Sequence, residues 1–225
     1  KESGVYKAGE LNGLAYFTRE NGCSSYEGMF KDGELNGEVK IYNSKGILNV
    51  SKNFKDNKVD GLVKEYYENG RPSSTVNMVK GLRDGKLYVF SPLGDTIKTK
   101  TYSKGKAIGS SIEYYENGNI VSQGKYKSGK RHGEWRDYHY DGALAYKYNY
   151  KNGNLHGDYL KFDSRGDTMV YKRYNNGLLH GLDKDYIKNN KVLWEHVFKN
   201  GKLKKYYNYS PDGVLLSKGK KDYLL

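Results

Sequence analysis

The sequence is poor in the residues that compact globular domains usually depend on. Among its 225 residues there are one cysteine and three prolines, and hydrophobic residues make up 36%. A single cysteine excludes a disulfide within the chain, and no apolar stretch approaches the ~20 residues that a membrane-spanning helix needs. These shortages argue against a disulfide-stabilised fold, a thick hydrophobic core and a helical membrane protein.

Tyrosine, glycine and positive charge are abundant instead. The chain has 24 tyrosines, 28 glycines and a formal net charge of +13. Tyrosine suits a surface where the ring packs and the hydroxyl stays in water, so the composition favours a thin sheet. The positive charge favours anionic partners, or it only keeps a thin sheet soluble. Both interpretations stay open at this point.

A 24-residue period organises the sequence. An aromatic residue opens each unit, with methionine in one of them: Tyr6, Phe30, Phe54, Met78, Tyr102, Tyr126, Tyr150, Tyr174 and Phe198. Seven residues later stands a glycine that we predict to be a structural turn residue: Gly13, Gly37, Gly61, Gly85, Gly109, Gly133, Gly157 and Gly181. A fixed period of this kind indicates stacked copies of one supersecondary unit.

Two other glycine columns indicate where the backbone needs unusual torsion angles. The first glycine of a unit stands three residues after the opening aromatic, and the third stands nine residues after the second. Asparagine replaces glycine at Asn57 in the first column and at Asn190 in the third. Asparagine is the residue besides glycine that most readily adopts a positive φ, so we predict left-handed backbone at both positions.

Each unit has the pattern of a β-hairpin. About five strand-like residues follow the second glycine, and a Glu-Asn-Gly turn comes next at Glu20-Asn21-Gly22, at 68–70 and at 116–118. Asn-Gly between strands predicts a turn with positive φ at both residues. A return strand such as 120–126 and a longer loop such as 127–133 complete the unit. Successive hairpins predict an all-β chain, an elongated, single-layer, twisted antiparallel sheet.

The period also predicts the domain organisation. Residues 1–5 form a short lead-in, and residues 6–201 form about eight hairpin repeats. Residues 202–225 form a degenerate C-terminal capping repeat, in which lysines replace the second glycine. Because a lone hairpin is marginally stable in water, neighbouring repeats must supply the burial.

A second aromatic column lies inside the strands and recurs with the same period. Its members are Tyr42, Tyr66, Phe90, Tyr114, Tyr138, Phe162 and Tyr186. We predict that they form a structural ladder along one face of the sheet and do not form a ligand-binding site. Apolar residues also occur at the opposite parity, for example Val39 and Trp135, so the pattern does not tell which face is wet.

A lysine follows the opening aromatic in six units: Lys7, Lys31, Lys55, Lys127, Lys151 and Lys199. Aligned along the array, these side chains would form a basic stripe with aromatics beside it. Such a stripe is a candidate binding site for an anion or a partner. Lysines that flank a turn can equally serve only to keep a sheet edge soluble.

The sequence offers little catalytic chemistry. His132, His156 and His180 stand before the second glycine of three successive units, where earlier units have Asn or Asp. Like residues of adjacent hairpins lie ~9–10 Å apart, which is too far for shared metal bonds of ~2 Å. We therefore predict no metal, no cofactor, no catalytic residue and no enzymatic activity.

The motif at residues 102–109, Tyr-Ser-Lys-Gly-Lys-Ala-Ile-Gly, is followed by Tyr-Tyr-Glu-Asn-Gly at 114–118. This spacing resembles MORN repeats, and more closely the bacterial variant subfamily known as YwqK-type antitoxin repeats. The resemblance covers residues 6–213. It implies an array of β-hairpins that serves protein interaction or membrane association, with no small-molecule substrate.

Three hypotheses about function follow. The first is a non-enzymatic scaffold for another protein, with an antitoxin-like or immunity-like role. The second is a binder of anionic surfaces, either phospholipid or nucleic acid, through the basic stripe. The third is a secreted or cell-surface, adhesin-like array. Since the sequence begins at Lys1 and not at Met, we favour a processed, secreted or cell-surface chain over a cytoplasmic one.

Overall fold

The computed structural model of the chain describes residues 1–20 and 22–221. Within them the chain is all-β, with antiparallel strands and one short 3-10 turn, Lys188–Asn190. The fold class predicted from the repeat is therefore confirmed. Residue 21 of the predicted Glu20-Asn21-Gly22 turn lies outside the described residues, as do residues 222–225 of the predicted cap. No helix in the described ranges has the length and apolar character of a membrane span.

The chain divides into two compact units, Lys1–Gly109 and Ser110–Leu225, which are described separately. Residues 2–5 of the predicted lead-in belong to the first strand of unit 1. The strands of unit 1 are β1 (Glu2–Lys7), β2 (Glu10–Thr18), β3 (Ser24–Lys31), β4 (Glu34–Tyr42), β5 (Leu48–Lys55), β6 (Lys58–Tyr66), β7 (Pro72–Val79), β8 (Leu82–Arg83), β9 (Gly85–Phe90) and β10 (Thr96–Ser103). Each of β1 to β6 pairs with the next strand, β7 pairs with β8 and β9, and β9 pairs with β10.

The strand β11 (Lys106–Tyr114) includes the boundary between the two units. The strands that follow it in unit 2 are β12 (Ile120–Lys127), β13 (Lys130–Tyr138), β14 (Leu144–Lys151), β15 (Asn154–Phe162), β16 (Thr168–Asn175), β17 (Leu178–Ile187), β18 (Lys191–Lys199), β19 (Lys202–Tyr209) and β20 (Leu215–Lys220). From β12 onward each strand pairs antiparallel with the next. The predicted cap supplies β19 and β20.

One of the two turns of each hairpin has fewer residues with positive φ than predicted. The Glu-Asn-Gly turn at 68–70 has a positive φ at Gly70 but not at Asn69. The amide of Gly70 donates to the carbonyl of Tyr67 (3.0 Å) and the amide of Tyr67 donates to Arg71 (2.9 Å). This is a three-residue loop, a type I turn followed by one left-handed residue. The prediction of positive φ at both residues is wrong, because this turn needs only one.

The turn with two left-handed residues lies at the first glycine. Asp56 and Asn57 have φ values of 48° and 60°, and Lys55 pairs directly with Lys58 across them. This is a two-residue type I′ connection, whose twist matches that of the flanking strands. The positive φ predicted at Asn57 is confirmed, as is the one at Asn190, where φ is 55°.

The second glycine lies inside a strand and not in a loop. The predicted loop at 127–133 is wrong, because β13 begins at Lys130. In the equivalent hairpin of unit 1, Gly28 pairs with Val39 and Phe30 with Leu35, so the single residue Met29 faces three residues centred on Gly37. Such a bulge needs a left-handed residue, and all eight second glycines have positive φ.

The two sides of the sheet in unit 1 are chemically distinct. The buried residues Ala15, Val39 and Val76 are at most 6% exposed, and we call their side face A. Because successive side chains alternate between sides, Tyr16 and Lys40 lie on the opposite side, face B. Face B carries an ion pair between Lys40 and Glu27 at 3.1 Å. The more apolar face is therefore the one that contains the column of Val39. The same names are used in unit 2 for the equivalent repeat positions, so that face A there contains Trp135.

Candidate functional site

The six lysines of the predicted stripe share one position in the fold. Each is exposed and is the last residue of its strand before a type I′ turn: Lys7, Lys31 and Lys55 in unit 1, and Lys127, Lys151 and Lys199 in unit 2. Because each hairpin has one such turn, the three lysines of a unit lie at the same edge of its sheet. The predicted stripe therefore runs along the turns at one end of the strands and does not cross a face of the sheet.

The residues opposite these lysines differ along the chain. Lys7 and Lys31 pair with Glu10 and Glu34. Three later turns place lysine opposite lysine: Lys55 with Lys58, Lys127 with Lys130 and Lys199 with Lys202. Like charges directly opposite each other destabilise a strand pair. Two lysines thus face each other at each of these three turns, and Asp56 and Asp60 lie beside the pair of Lys55 and Lys58.

The residue before the second glycine holds successive hairpins together. In unit 1 the carboxylate of Asp60 accepts from the amide of Lys80 at 3.1 Å. In unit 2, Nδ1 of His132 accepts from the amide of Asn152 at 3.5 Å, and Nδ1 of His180 accepts from Asn200 at 3.4 Å. The histidine column therefore has a structural role, and the described residues contain no cluster of metal-ligating side chains.

A backbone hydrogen bond also ties seven of the type I′ turns to the preceding hairpin. The amide of Asn57 donates to the carbonyl of Leu35 (3.1 Å), and that of Gly81 donates to Val59 (2.7 Å). In unit 2 the amide of Gly177 donates to Leu155 at 2.8 Å. These seven turns thus depend on the hairpin one repeat before them.

The predicted aromatic ladder lies on face B. The hydroxyl of Tyr42 donates to Glu27 at 2.8 Å, and that of Tyr138 accepts from Gln123 at 2.5 Å. All seven rings are only partly buried: Tyr42, Tyr66, Phe90, Tyr114, Tyr138, Phe162 and Tyr186. The ring contacts among described residues involve one of them, Phe90, which stacks on Tyr88 at 6.2 Å.

Ring-to-ring packing is instead concentrated on face A of unit 2. Trp135, which is 3% exposed, lies over Gly124, where an added Cβ would stand 2.2 Å from the indole. Its indole nitrogen donates to the carbonyl of Lys125 at 3.2 Å. The guanidinium of Arg131 lies 4.3 Å from the ring of Trp135 and 5.5 Å from that of Tyr150. Small and large residues here complement each other across the strand pair.

The centre of this aromatic cluster is Tyr148. Its ring packs against Tyr150 at 5.6 Å and against Tyr159 at 5.8 Å, and its hydroxyl donates to Asp137 at 2.7 Å. Burial, together with this hydrogen bond, raises the pKa of Tyr148. The phenol is therefore held in its neutral form as a donor.

A row of charged residues continues face A beyond this cluster. Asp183 is 4% exposed and pairs with Lys172 on one side and His196 on the other. The ammonium of Lys172 approaches its carboxylate to 3.6 Å, and that oxygen has no hydrogen bond among the described residues. Burial raises the pKa of Asp183, although Lys172 opposes the effect.

Two concavities in unit 2 share three lining residues, Asp137, Tyr146 and Tyr148. The smaller, about 210 Å³, is also lined by Tyr150 and Tyr159. The larger, about 560 Å³, is also lined by Glu113, Arg131 and His139. We refer to the two together as the tyrosine groove. Sequence reasoning missed it, because its residues come together only through strand pairing.

The comparison with protein families agrees with the repeat. The family described as MORN repeat variant matches residues 59–80, 108–128 and 131–152. No curated protein matches the chain. Among solved structures, the chain is similar to the pore form of a Tc holotoxin from Photorhabdus luminescens, with 13% identity over 93% of this chain and a TM-score of 0.21. The present chain spans 13% of that one.

Proposed function

We propose that the protein is a non-enzymatic scaffold that binds another protein through face B of unit 1. MORN repeats generally serve as protein- or membrane-interaction modules. Face B of unit 1 also carries large apolar side chains that are about half exposed. Tyr16, Met29 and Leu62 follow or precede residues of face A in sequence, and they are 41%, 40% and 41% exposed. Apolar residues within a polar, charged surface are typical of protein interfaces.

The partner class that the repeat resemblance favours is a toxin, which would give the chain an antitoxin-like or immunity-like role. The apolar positions Met29 and Leu62 are the observation that carries the docking proposal. A rigid sheet face presents such side chains without the ordering cost that loops incur. No rearrangement of unit 1 is needed to expose them.

Affinity capture with matched variants tests this proposal. The chain is immobilised and incubated with extract of the organism from which it comes, and retained proteins are identified by mass spectrometry. We expect a partner that the wild type retains and that both Met29→Glu and Leu62→Glu lose. Leu93→Glu is the control, because Leu93 is a 78% exposed turn residue of the same unit. Equal retention by all four chains would contradict a role for face B.

A second candidate function is binding of an anionic surface by the six lysines that end a strand before a type I′ turn, which we call the lysine edge: Lys7, Lys31, Lys55, Lys127, Lys151 and Lys199. The observation that favours it is the set of like-charge pairs, Lys55 with Lys58, Lys127 with Lys130 and Lys199 with Lys202. Co-sedimentation with vesicles of neutral lipid, with and without phosphatidylserine, tests it. Binding should need the anionic lipid, weaken with salt and be lost in Lys127→Glu/Lys130→Glu. The control is Lys188→Glu, an exposed lysine in the other kind of turn.

A further inference from the structure

The tyrosine groove has the size and lining of a ligand site. Its larger part, about 560 Å³, falls in the range of ~300–1,000 Å³ that is common for small-molecule sites. Such sites combine aromatic walls with a few polar groups that fix orientation. The groove has both, and its whole lining belongs to unit 2.

The aromatic part of the groove is a row of three rings on one strand. Tyr146, Tyr148 and Tyr150 alternate along β14, so their side chains lie on the same face. Four residues separate the first from the last, which corresponds to ~13 Å along an extended strand. Tyr159 of the next strand lies 6.0 Å from Tyr146 and 5.8 Å from Tyr148. Tyr148, in the middle of the row, is 7% exposed, so Tyr146 and Tyr150 are the rings that a ligand can contact.

The polar groups of the groove have mixed charge. Two carboxylates, Glu113 and Asp137, line it together with Arg131 and His139. Nε2 of His139 is buried and has no hydrogen-bond partner among the described residues. Unpaired buried polar atoms cost stability, so this nitrogen is a site where a bound ligand group would restore a hydrogen bond.

The charges select against an ionic ligand. Arg131 and Lys161 already lie over rings of this cluster, at 5.5 Å from Tyr150 and 6.0 Å from Tyr146. The groove therefore has both signs of charge in or beside it, so that neither a cation nor an anion gains a net attraction there. A hydroxyl group both donates and accepts, so it suits carboxylate, guanidinium and imidazole alike.

We infer that the tyrosine groove is a binding site for a neutral oligosaccharide. The apolar face of a sugar ring packs on the exposed parts of Tyr146 and Tyr150, and the hydroxyl groups of the sugar bond to Asp137, Arg131 and His139. No residue that lines the groove belongs to face B of unit 1 or to the lysines of the lysine edge. The result of a test of oligosaccharide binding is therefore independent of the proposed function.

Saturation-transfer difference NMR of the full chain tests the inference. The probes are four neutral oligosaccharides: maltohexaose, cellohexaose, chitohexaose and mannohexaose, each at about 5 mM. We expect saturable binding of at least one probe, and this binding should persist in 0.5 M NaCl, because it involves no ion pair. Absence of transfer to all four probes, with the chain shown to be folded by circular dichroism, would overturn the inference.

Matched variants locate the binding. Tyr146→Ala removes one end of the ring row, and Asp137→Asn changes the charge while keeping the size and an oxygen for the Tyr148 hydroxyl. Each should raise the dissociation constant of the bound probe at least tenfold. Tyr6→Ala, which changes a 54% exposed tyrosine of unit 1, should leave it unchanged. Binding that neither groove variant weakens would also overturn the inference, and the isosteric Asp137→Asn keeps the test valid if Tyr146→Ala does not fold.

Discussion

Substitution of Gly124 by alanine should destabilise unit 2 far more than a single methyl group normally does. The added Cβ would stand 2.2, 2.3 and 2.5 Å from three atoms of the Trp135 indole. Carbon atoms in contact are separated by about 3.5–4.0 Å. The ring would therefore have to move by more than about 1 Å, out of the position in which it covers the glycine.

The cost can be estimated from the contacts that Trp135 loses. Moving the ring breaks its hydrogen bond to Lys125 and its contact with Arg131, each worth about 1 kcal/mol. Overpacking strain adds about 1–3 kcal/mol. Together these contributions lead us to expect that Gly124→Ala lowers the free energy of unfolding by about 3–5 kcal/mol, as measured by urea titration followed by circular dichroism.

A double-mutant cycle separates this clash from a general effect of alanine. Gly124 has no positive φ, so alanine fits its backbone. In a Trp135→Val background the same Gly124→Ala change should cost much less. At the equivalent position of unit 1, Gly28 lies opposite Val39, and an added Cβ would stand 3.1 Å from that valine instead of 2.2 Å from an indole. Effects that add within about 0.5 kcal/mol would show that the two sites do not interact and would refute the reasoning.

Three further predictions concern the turns and the buried charge. Asp60→Ala removes the acceptor for the Lys80 amide and should lower the free energy of unfolding in urea by about 1 kcal/mol. Asp60→His should largely keep the wild-type stability, and equal losses in the two variants would contradict this role. Asn190→Val should lower the free energy of unfolding by about 1–2 kcal/mol, because φ at this position is 55°. Asn190→Gly should be neutral or stabilising, and the reverse order of stability would exclude backbone strain as the cause. Burial raises the pKa of Asp183 above 3.8, so its stabilising neutral form is lost as the pH rises. The melting temperature of Asp183→Asn minus that of the wild type should therefore increase from about pH 4 to about pH 7, and a constant difference would show that Asp183 does not titrate differently on folding.

The sequence predicts the fold class and the left-handed positions because both depend on local chemistry. The repeat period and the asparagines at Asn57 and Asn190 are visible without knowledge of any contact. The location of the type I′ turn was not predictable in the same way. Lys80, Lys104 and Ser128 have positive φ in that turn, and none of them has a side chain that favours it. Strand pairing imposes that conformation, and in two of these turns the amides of Gly81 and Gly105 also donate to Val59 and Arg83 of the preceding hairpin.

The role of the histidine column and the existence of the tyrosine groove also depend on pairing. His132 acts on Asn152, 20 residues further along, and its partner is not evident from spacing alone. Likewise, Asp137 meets Tyr146 only through the pairing of β13 with β14. The bulge at each second glycine adds residues to one strand, so sequence parity alone does not assign every side chain to a face.

The hydrogen bonds that tie type I′ turns to the previous hairpin restrict how such a chain can change its length. The amide of Gly177 can donate to the carbonyl of Leu155 only because the intervening segment has a fixed number of residues. Insertion of a few residues would misalign every such contact at that point, whereas insertion or loss of one complete repeat would bring an equivalent donor to an equivalent acceptor. Lineages of this protein should therefore gain or lose length by duplication or deletion of whole blocks.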